Sequence, residues 1–189
     1  MKLKPGIKIA ISGKSGCGNS TVSRLTAERL GLRMINYTFH TVAEERGIDF
    51  HTLCKLAETD PQWDLLVDTR QVELAREGNC VLGSRLAVWL LNDADLKIFL
   101  DAPLLVRAQR IHKREGGDFE TVLRQTRERD ERDHARFLKL YKIDNNHYQF
   151  VDLVIDTTEL TPEQVVDRIV ERALKIPWNG HDETLTKDT

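Results

Sequence analysis

Nine residues, Gly13-Lys14-Ser15-Gly16-Cys17-Gly18-Asn19-Ser20-Thr21, follow directly on the apolar run from Ile7 to Ser12 and lead into a segment of helical periodicity. Strand, glycine loop and helix together form a phosphate-binding arrangement. Glycines let successive backbone N–H groups point at an anion, and the helix N-terminus adds partial positive charge. The pattern G-x-x-x-x-G-K-[ST] is met at Gly13, Gly18 and Ser20, with Asn19 where the lysine belongs. Gly13, Ser15, Gly16, Cys17, Gly18, Asn19, Ser20 and Thr21 are therefore expected to surround the phosphates of a nucleotide, with the Ser20 hydroxyl as a Mg2+ ligand. Loss of one preorganised donor at a phosphoryl group costs about 10²–10³ in rate. Lys14, at the second position of the same loop, is the expected substitute and would be catalytic; the bland alternative is a solvated loop lysine. A lysine reaching into a neighbouring subunit would require a homodimer.

Arginines supply the second chemistry. Arg129-Asp130-x-x-Asp133-x-x-Arg136 puts Arg129, Asp133 and Arg136 at i, i+4 and i+7, one face of a helix. Two guanidinium forks around a carboxylate suit a phosphate beside a sugar hydroxyl or base amine; the alternative is a salt-bridged surface helix. Arg107, Arg110 and Arg114 fall on another single face and run into Glu115-Gly116-Gly117-Asp118. A basic helix ending in a Gly-Gly hinge fits a lid that lowers cations onto a transferring phosphoryl and excludes water. Asp101 ends an apolar run and is either a water-mediated Mg2+ partner or the cap of the helix beginning near Pro103.

These groups need a scaffold that brings them together. Short apolar runs at 7–12, 34–36, 80–83, 96–100 and 153–156 predict five strands. Helical patterns lie between and after them, at 20–30, 38–46, 49–58, 61–77, 104–114, 118–140 and 162–175. Strands alternating with helices imply a parallel sheet covered on both faces. Arg85 follows the third strand at its carboxyl end, where ligands bind in open α/β sheets.

The chain has 189 residues, enough for one domain with its own core. Its 28 basic and 30 acidic residues leave a net charge of −2, which argues against a nucleic-acid partner. Eleven basic against seven acidic residues nevertheless crowd into Leu104 to Lys142, the signature of a small anionic ligand. Three cysteines without a C-x-x-C pair point to a reducing compartment. With no signal-peptide pattern and no membrane-length apolar run, the expectation is a cytoplasmic protein. The polar tail, 177–189, is expected to fray apart from docking of Trp178.

The segments Asp68-Thr69-Arg70-Gln71-Val72-Glu73-Leu74-Ala75, Ser84-Arg85-Leu86-Ala87-Val88-Trp89 and Asp95 to Leu104, with the arginine-rich stretches from Arg107 and through Arg136, resemble nucleoside monophosphate kinases. In particular they are similar to the short archaeal-type cytidylate kinases and the broader cytidylate kinase-like family. The resemblance implies a P-loop NTPase fold: a three-layer α/β/α domain over 1–176 with a five-stranded parallel sheet and a helical lid at about 107–128. It implies transfer of the γ-phosphoryl of ATP to CMP or dCMP with Mg2+. Arg85, Arg129, Asp133 and Arg136 would hold the acceptor, joined by Arg70, and Arg110 and Arg114 would be the catalytic lid arginines. Two further positions depart from the family pattern. Gly83-Ser84 stands where the family has an acidic residue and glycine, and His40 where archaeal-type members have an arginine. Three changed positions leave three readings: a rebuilt kinase site using Lys14, a kinase for a different small acceptor, or a nucleotide sensor with little turnover.

Overall fold

Strand β1 (Lys8–Gly13) is the middle of the sheet, and its side chains from Ile9 to Ser12 are fully buried. A strand covered on both faces reads as a continuous apolar run, which is why the pattern at 7–12 lacks alternation. In the computed structural model, which describes residues 2–178, β1 pairs in parallel with β3 (Cys80–Gly83) and β4 (Leu96–Asp101). Strands β2 (Arg33–Ile35) and β5 (Leu153–Asp156) extend the sheet to the order β2-β3-β1-β4-β5.

Successive residues of β1 serve opposite faces. Ile9 and Ile11 join Val81 and Ile98 under α1 (Asn19–Leu30) and α8 (Pro162–Leu174), where Val22, Ala27, Val165 and Ile169 complete the layer. Ala10 points the other way, to Leu82, Ala87 and Val88. Helices α2 (Phe39–Arg46), α3 (Phe50–Thr59) and α4 (Gln62–Ala75) form a separate apolar cluster around Val42, Leu53 and Val67. One four-residue helix, α5 (Ala87–Leu90), was not expected; a single turn is too short to show a 3.6-residue period.

The chain reverses direction in the strand order at β1, so the carboxyl ends of β3, β1 and β4 open into one crevice. Helix α6 (Leu104–Glu115) turns at Gly116-Gly117 into the 23-residue α7 (Phe119–Tyr141). Ala108 and Ile111 pack on Val122, with Phe119 and Leu123 against them. Asp118 caps α7 by accepting from the Thr121 backbone N–H at 2.9 Å. Since α7 runs unbroken past residue 128, the expected lid and the expected acceptor face share one helix. At the far end of the chain the Trp178 indole donates to the Lys2 carbonyl at 3.4 Å. The rest of the expected tail, 179–189, lies outside the described residues.

Candidate functional site

The glycine loop lines a cavity with Gly13, Ser15, Gly16, Gly18, Asn19, Ser20 and Thr21 on one side and Gly83, Ser84 and Arg85 on the other; Lys14, Arg110 and Arg114 complete its wall. Gly16 has φ +85°, and a Cβ there would stand 2.7 Å from the Arg107 carbonyl oxygen, so no other residue fits. Gly18 precedes α1 without a side-chain cap, leaving the first amides of the helix open to an anion. At the same wall the Ser84 hydroxyl is buried without a partner, a polar group that a phosphate oxygen would satisfy.

Cys17 is absent from this wall, which corrects one expectation. Its side chain packs into the core beneath the loop, and its N–H is taken by the Lys14 carbonyl at 3.1 Å. Burial, outweighing nearby Arg107, pushes the thiol up to about 11, so it is protonated at neutral pH.

Asn19 is used as a strap. Its amide donates to the Ser84 carbonyl at 3.2 Å and accepts from the Ser23 hydroxyl at 3.0 Å. The same carbonyl also accepts from the Ser12 hydroxyl at 2.9 Å. Thus α1 is tied to the end of β3 at the position where a lysine would normally reach phosphate. The approach is close enough to explain the missing acid as well: a Cβ on Gly83 would lie 2.6 Å from the Ser23 Cβ. Gly83→Ala is expected to cost about 1–3 kcal/mol in chemical denaturation, the usual penalty of overpacking. Adding Ser23→Gly should recover part of it, and equal loss in the single and double variants would disprove the clash. Lys14 is held by Asn146, with Nζ donating to Oδ1 at 2.7 Å.

The three arginines expected on one lid face have three different roles. Arg107 is only 4% exposed. It donates to the carbonyls of Ser15 and Ala102 at 3.1 and 3.0 Å and grips Asp130 with both terminal nitrogens at 3.2 and 2.7 Å. It therefore braces the loop and cannot be a mobile lid cation. Arg110 ties α6 to the segment after β5, donating to the Thr157 carbonyl at 2.5 Å and its hydroxyl at 2.9 Å. Arg114 is largely exposed and paired only with its neighbour Glu115 at 2.5 Å.

The i, i+4, i+7 face of α7 does converge on the loop. Arg129 approaches the Ser15 hydroxyl at 3.4 Å, Asp133 pairs with Arg85, and Arg136 bridges Asp133 and Asp64 at 3.3 and 3.2 Å. Arg85 also lines a second cavity, with Tyr37, Asp64, Asp68, Gln71, Arg136 and Tyr141 as its polar wall and Phe39, Val67, Leu86 and Phe137 as its apolar one. Burial, then repulsion from Arg129 and Arg136, lowers Arg85 to about 10, so it stays charged at neutral pH. Three crowded guanidinium groups form a field that an anion would relieve.

Two expected residues, Arg70 and Asp101, and the departing position His40 are not part of this convergence. Arg70 is exposed, pairs with Glu73 at 3.1 Å and lines neither cavity. His40 is exposed and stacks on Phe50 at 3.6 Å between ring centres. The Asp101 carboxylate accepts from the Tyr148 hydroxyl at 3.0 Å and the Ala102 amide at 2.9 Å, and Pro103 takes the cap position of α6. Conversely, sequence reasoning missed Asp64, Asp68 and Gln71. Their spacing of i, i+4 and i+7 is the one that found the α7 face, but here it lies within a stretch of mixed polarity. No group of three or more His, Cys, Asp or Glu among the described residues forms a metal cage, and no helix among them is long and apolar enough to cross a membrane.

Comparison with known proteins matches residues 8–159 to the cytidylate kinase-like family. The chain is 47% identical over 177 residues to cytidylate kinase 2 of Borreliella burgdorferi, covering 89% of this chain and 98% of that protein. Identity to the cytidylate kinase of Pyrococcus horikoshii is 42% over 164 residues, 86% of this chain and 85% of the relative. Among solved structures, shikimate kinase from Bacteroides thetaiotaomicron aligns with a TM-score of 0.62 at 16% identity, covering 88% of this chain and 97% of that one. Deoxyadenosine kinase from M. mycoides with bound dCTP aligns at 0.53 and 19%, covering 90% and 100%. These structural likenesses establish the P-loop kinase fold.

Proposed function

The chain belongs to the cytidylate kinase-like family, and from that premise we propose that it transfers the γ-phosphoryl group of ATP to CMP or dCMP. The observation that carries this reading is the placement of Arg85 on the walls of both cavities. In-line phosphoryl transfer needs a donor and an acceptor phosphate meeting at one point, with positive charge at that point.

The residues divide the work accordingly. Loop amides and the first turn of α1 hold the donor phosphates. Arg85, Arg129 and Arg136 draw in the acceptor phosphate, while Asp133 orients Arg85 and offers an oxygen to a sugar hydroxyl. An acceptor phosphate oxygen is already a nucleophile, so no strong protein base is needed. Ser20, which lines the loop cavity, would be the protein ligand of Mg2+, and the metal would supply charge neutralisation at the donor phosphates; a single protein ligand fits because Mg2+ commonly keeps phosphates and water as its other ligands. Asp101, engaged by Tyr148, is the poorer candidate. Exposed Arg114, beside Gly116-Gly117, is the residue suited to close over the transfer as part of a lid at about 107–128. Arg110 anchors that lid to the β5–α8 segment. We assign residues 1–176 to a single kinase domain working in the cytoplasm, where nucleotides are held.

The test is release of ADP by purified protein with ATP, Mg2+ and each of CMP, dCMP, UMP and AMP. Turnover with CMP or dCMP is expected; no turnover with any acceptor would overturn the reading. In the same assay Lys14→Ala should change kcat less than about threefold, because the Lys14 ammonium is turned to Asn146. A fall of about 10² or more, the cost of a lost phosphate cation, would restore Lys14 as the catalytic substitute.

A further inference from the structure

Gln71 on α4 is 9% exposed. Its amide nitrogen donates to the Tyr37 carbonyl at 2.7 Å. A carbonyl can only accept, so this bond fixes the amide orientation and leaves Oε1 as a lone acceptor. That oxygen is buried without a partner, at a residue lining the second cavity. One turn away on the same face, Asp68 accepts from the Tyr141 hydroxyl at 2.5 Å, which leaves its other oxygen free. The wall therefore presents two acceptors one helical turn apart, in a pocket they share with Tyr37, Asp64, Arg85, Arg136 and Tyr141 and with the apolar side made by Phe39, Val67, Leu86 and Phe137.

A pyrimidine 4-amino group has two N–H donors, whereas a 4-oxo group has none. Resting on the reading above, we infer that Gln71 Oε1 and the free Asp68 oxygen accept the two N–H bonds of the acceptor's exocyclic amine and so select cytosine over uracil. A uracil in the same pose would set its oxo group against two acceptors and leave both unpaired. Sites built to hydrogen-bond a substrate discriminate most strongly in this way.

The selection should depend on pH. Asp68 faces Asp64 on its own helix, and Tyr141 and Arg136 from α7, with Arg85 across the cavity. Burial dominates and raises its carboxyl to about 6 against the Tyr141 hydrogen bond, with Asp64 adding to the rise. Above that value the group is a carboxylate and accepts; as pH falls through it, a proton turns one acceptor into a donor. The preference for CMP over UMP should accordingly weaken below about pH 6.

The experiment measures kcat/KM for CMP and UMP, and binding of each by calorimetry, for wild type, Gln71→Met and Asp68→Asn. Asp68→Asn keeps the shape but presents an N–H where the free oxygen stood. The CMP-to-UMP ratio is expected to fall by about 50-fold in Asp68→Asn and about 10-fold in Gln71→Met, the size of one hydrogen bond to a charged or neutral group. Its pH dependence should vanish in Asp68→Asn. Equal losses for both acceptors, or a wild type without preference for CMP, would overturn the inference. If wild type turns over no acceptor, the kinase reading falls. Calorimetry then decides the selection: a CMP preference erased by the two variants sustains it, and no preference refutes it.

Discussion

Arg107→Ala is expected to lower stability by about 3–5 kcal/mol, the usual result of removing one partner from a buried ion pair. For a domain of this size that corresponds to a fall in Tm of about 6–20 °C. The reason is specific to the position. The guanidinium satisfies both oxygens of Asp130 and two loop carbonyls, and its backbone seals the underside of Gly16. Truncation strands a carboxylate that is itself mostly covered, and frees the Ser15 carbonyl that fixes the loop. Arg107→Lys should recover little, because one ammonium cannot fork to the carboxylate and reach the carbonyls together. As a reference, Arg24→Ala removes an exposed α1 pair with Glu28 and should cost under about 0.5 kcal/mol. Thermal and guanidinium unfolding of the three variants measure this directly. A loss below about 1 kcal/mol for Arg107→Ala would mean that the loop is braced by something else.

The largest loss of activity is expected at Arg85. Arg85→Ala should reduce kcat by about 10³, at the upper end for a preorganised charge acting on a developing phosphoryl centre. The KM for the acceptor should rise as well, because the same side chain borders the second cavity. Stability should change much less than at Arg107. Removing Arg85 relieves its repulsion with Arg129 and Arg136, which offsets the loss of its pair with Asp133. Arg85→Lys keeps the charge but gives up the fork, and should regain only part of kcat. Steady-state kinetics beside a melting curve separate these outcomes: kcat within threefold of wild type in a folded Arg85→Ala variant would remove Arg85 from the centre of the transfer.

Asn19 and Gly83 look like defects when the chain is compared with a motif. In space they are one adaptation, in which α1 closes against the end of β3 through Asn19, Ser23 and the Ser84 carbonyl. A longer side chain at Asn19 would break the strap, and a side chain at Gly83 would collide with Ser23. Arg85, just past the end of β3, faces the loop from across the crevice. No spacing rule connects residues 19, 23, 83 and 85, because they lie on two elements separated by some sixty positions.

Periodicity was enough for the elements themselves. The five strands, the seven longer helices, the parallel sheet and the phosphate loop follow from local pattern, since a strand repeats every two residues and a helix every 3.6 whatever lies around them. The same rule correctly grouped Arg129, Asp133 and Arg136 on one side of α7. It grouped Arg107, Arg110 and Arg114 equally well, yet tertiary structure buried the first, bound the second to Thr157 and left the third exposed. A helical face is a property of the chain; what that face meets is not. Which arginine becomes a strut, which cation serves two cavities and which acceptors line the second one were decided by contacts between distant segments. Those contacts depend on how the sheet order brings strand ends together and on the desolvation and charge each group then meets.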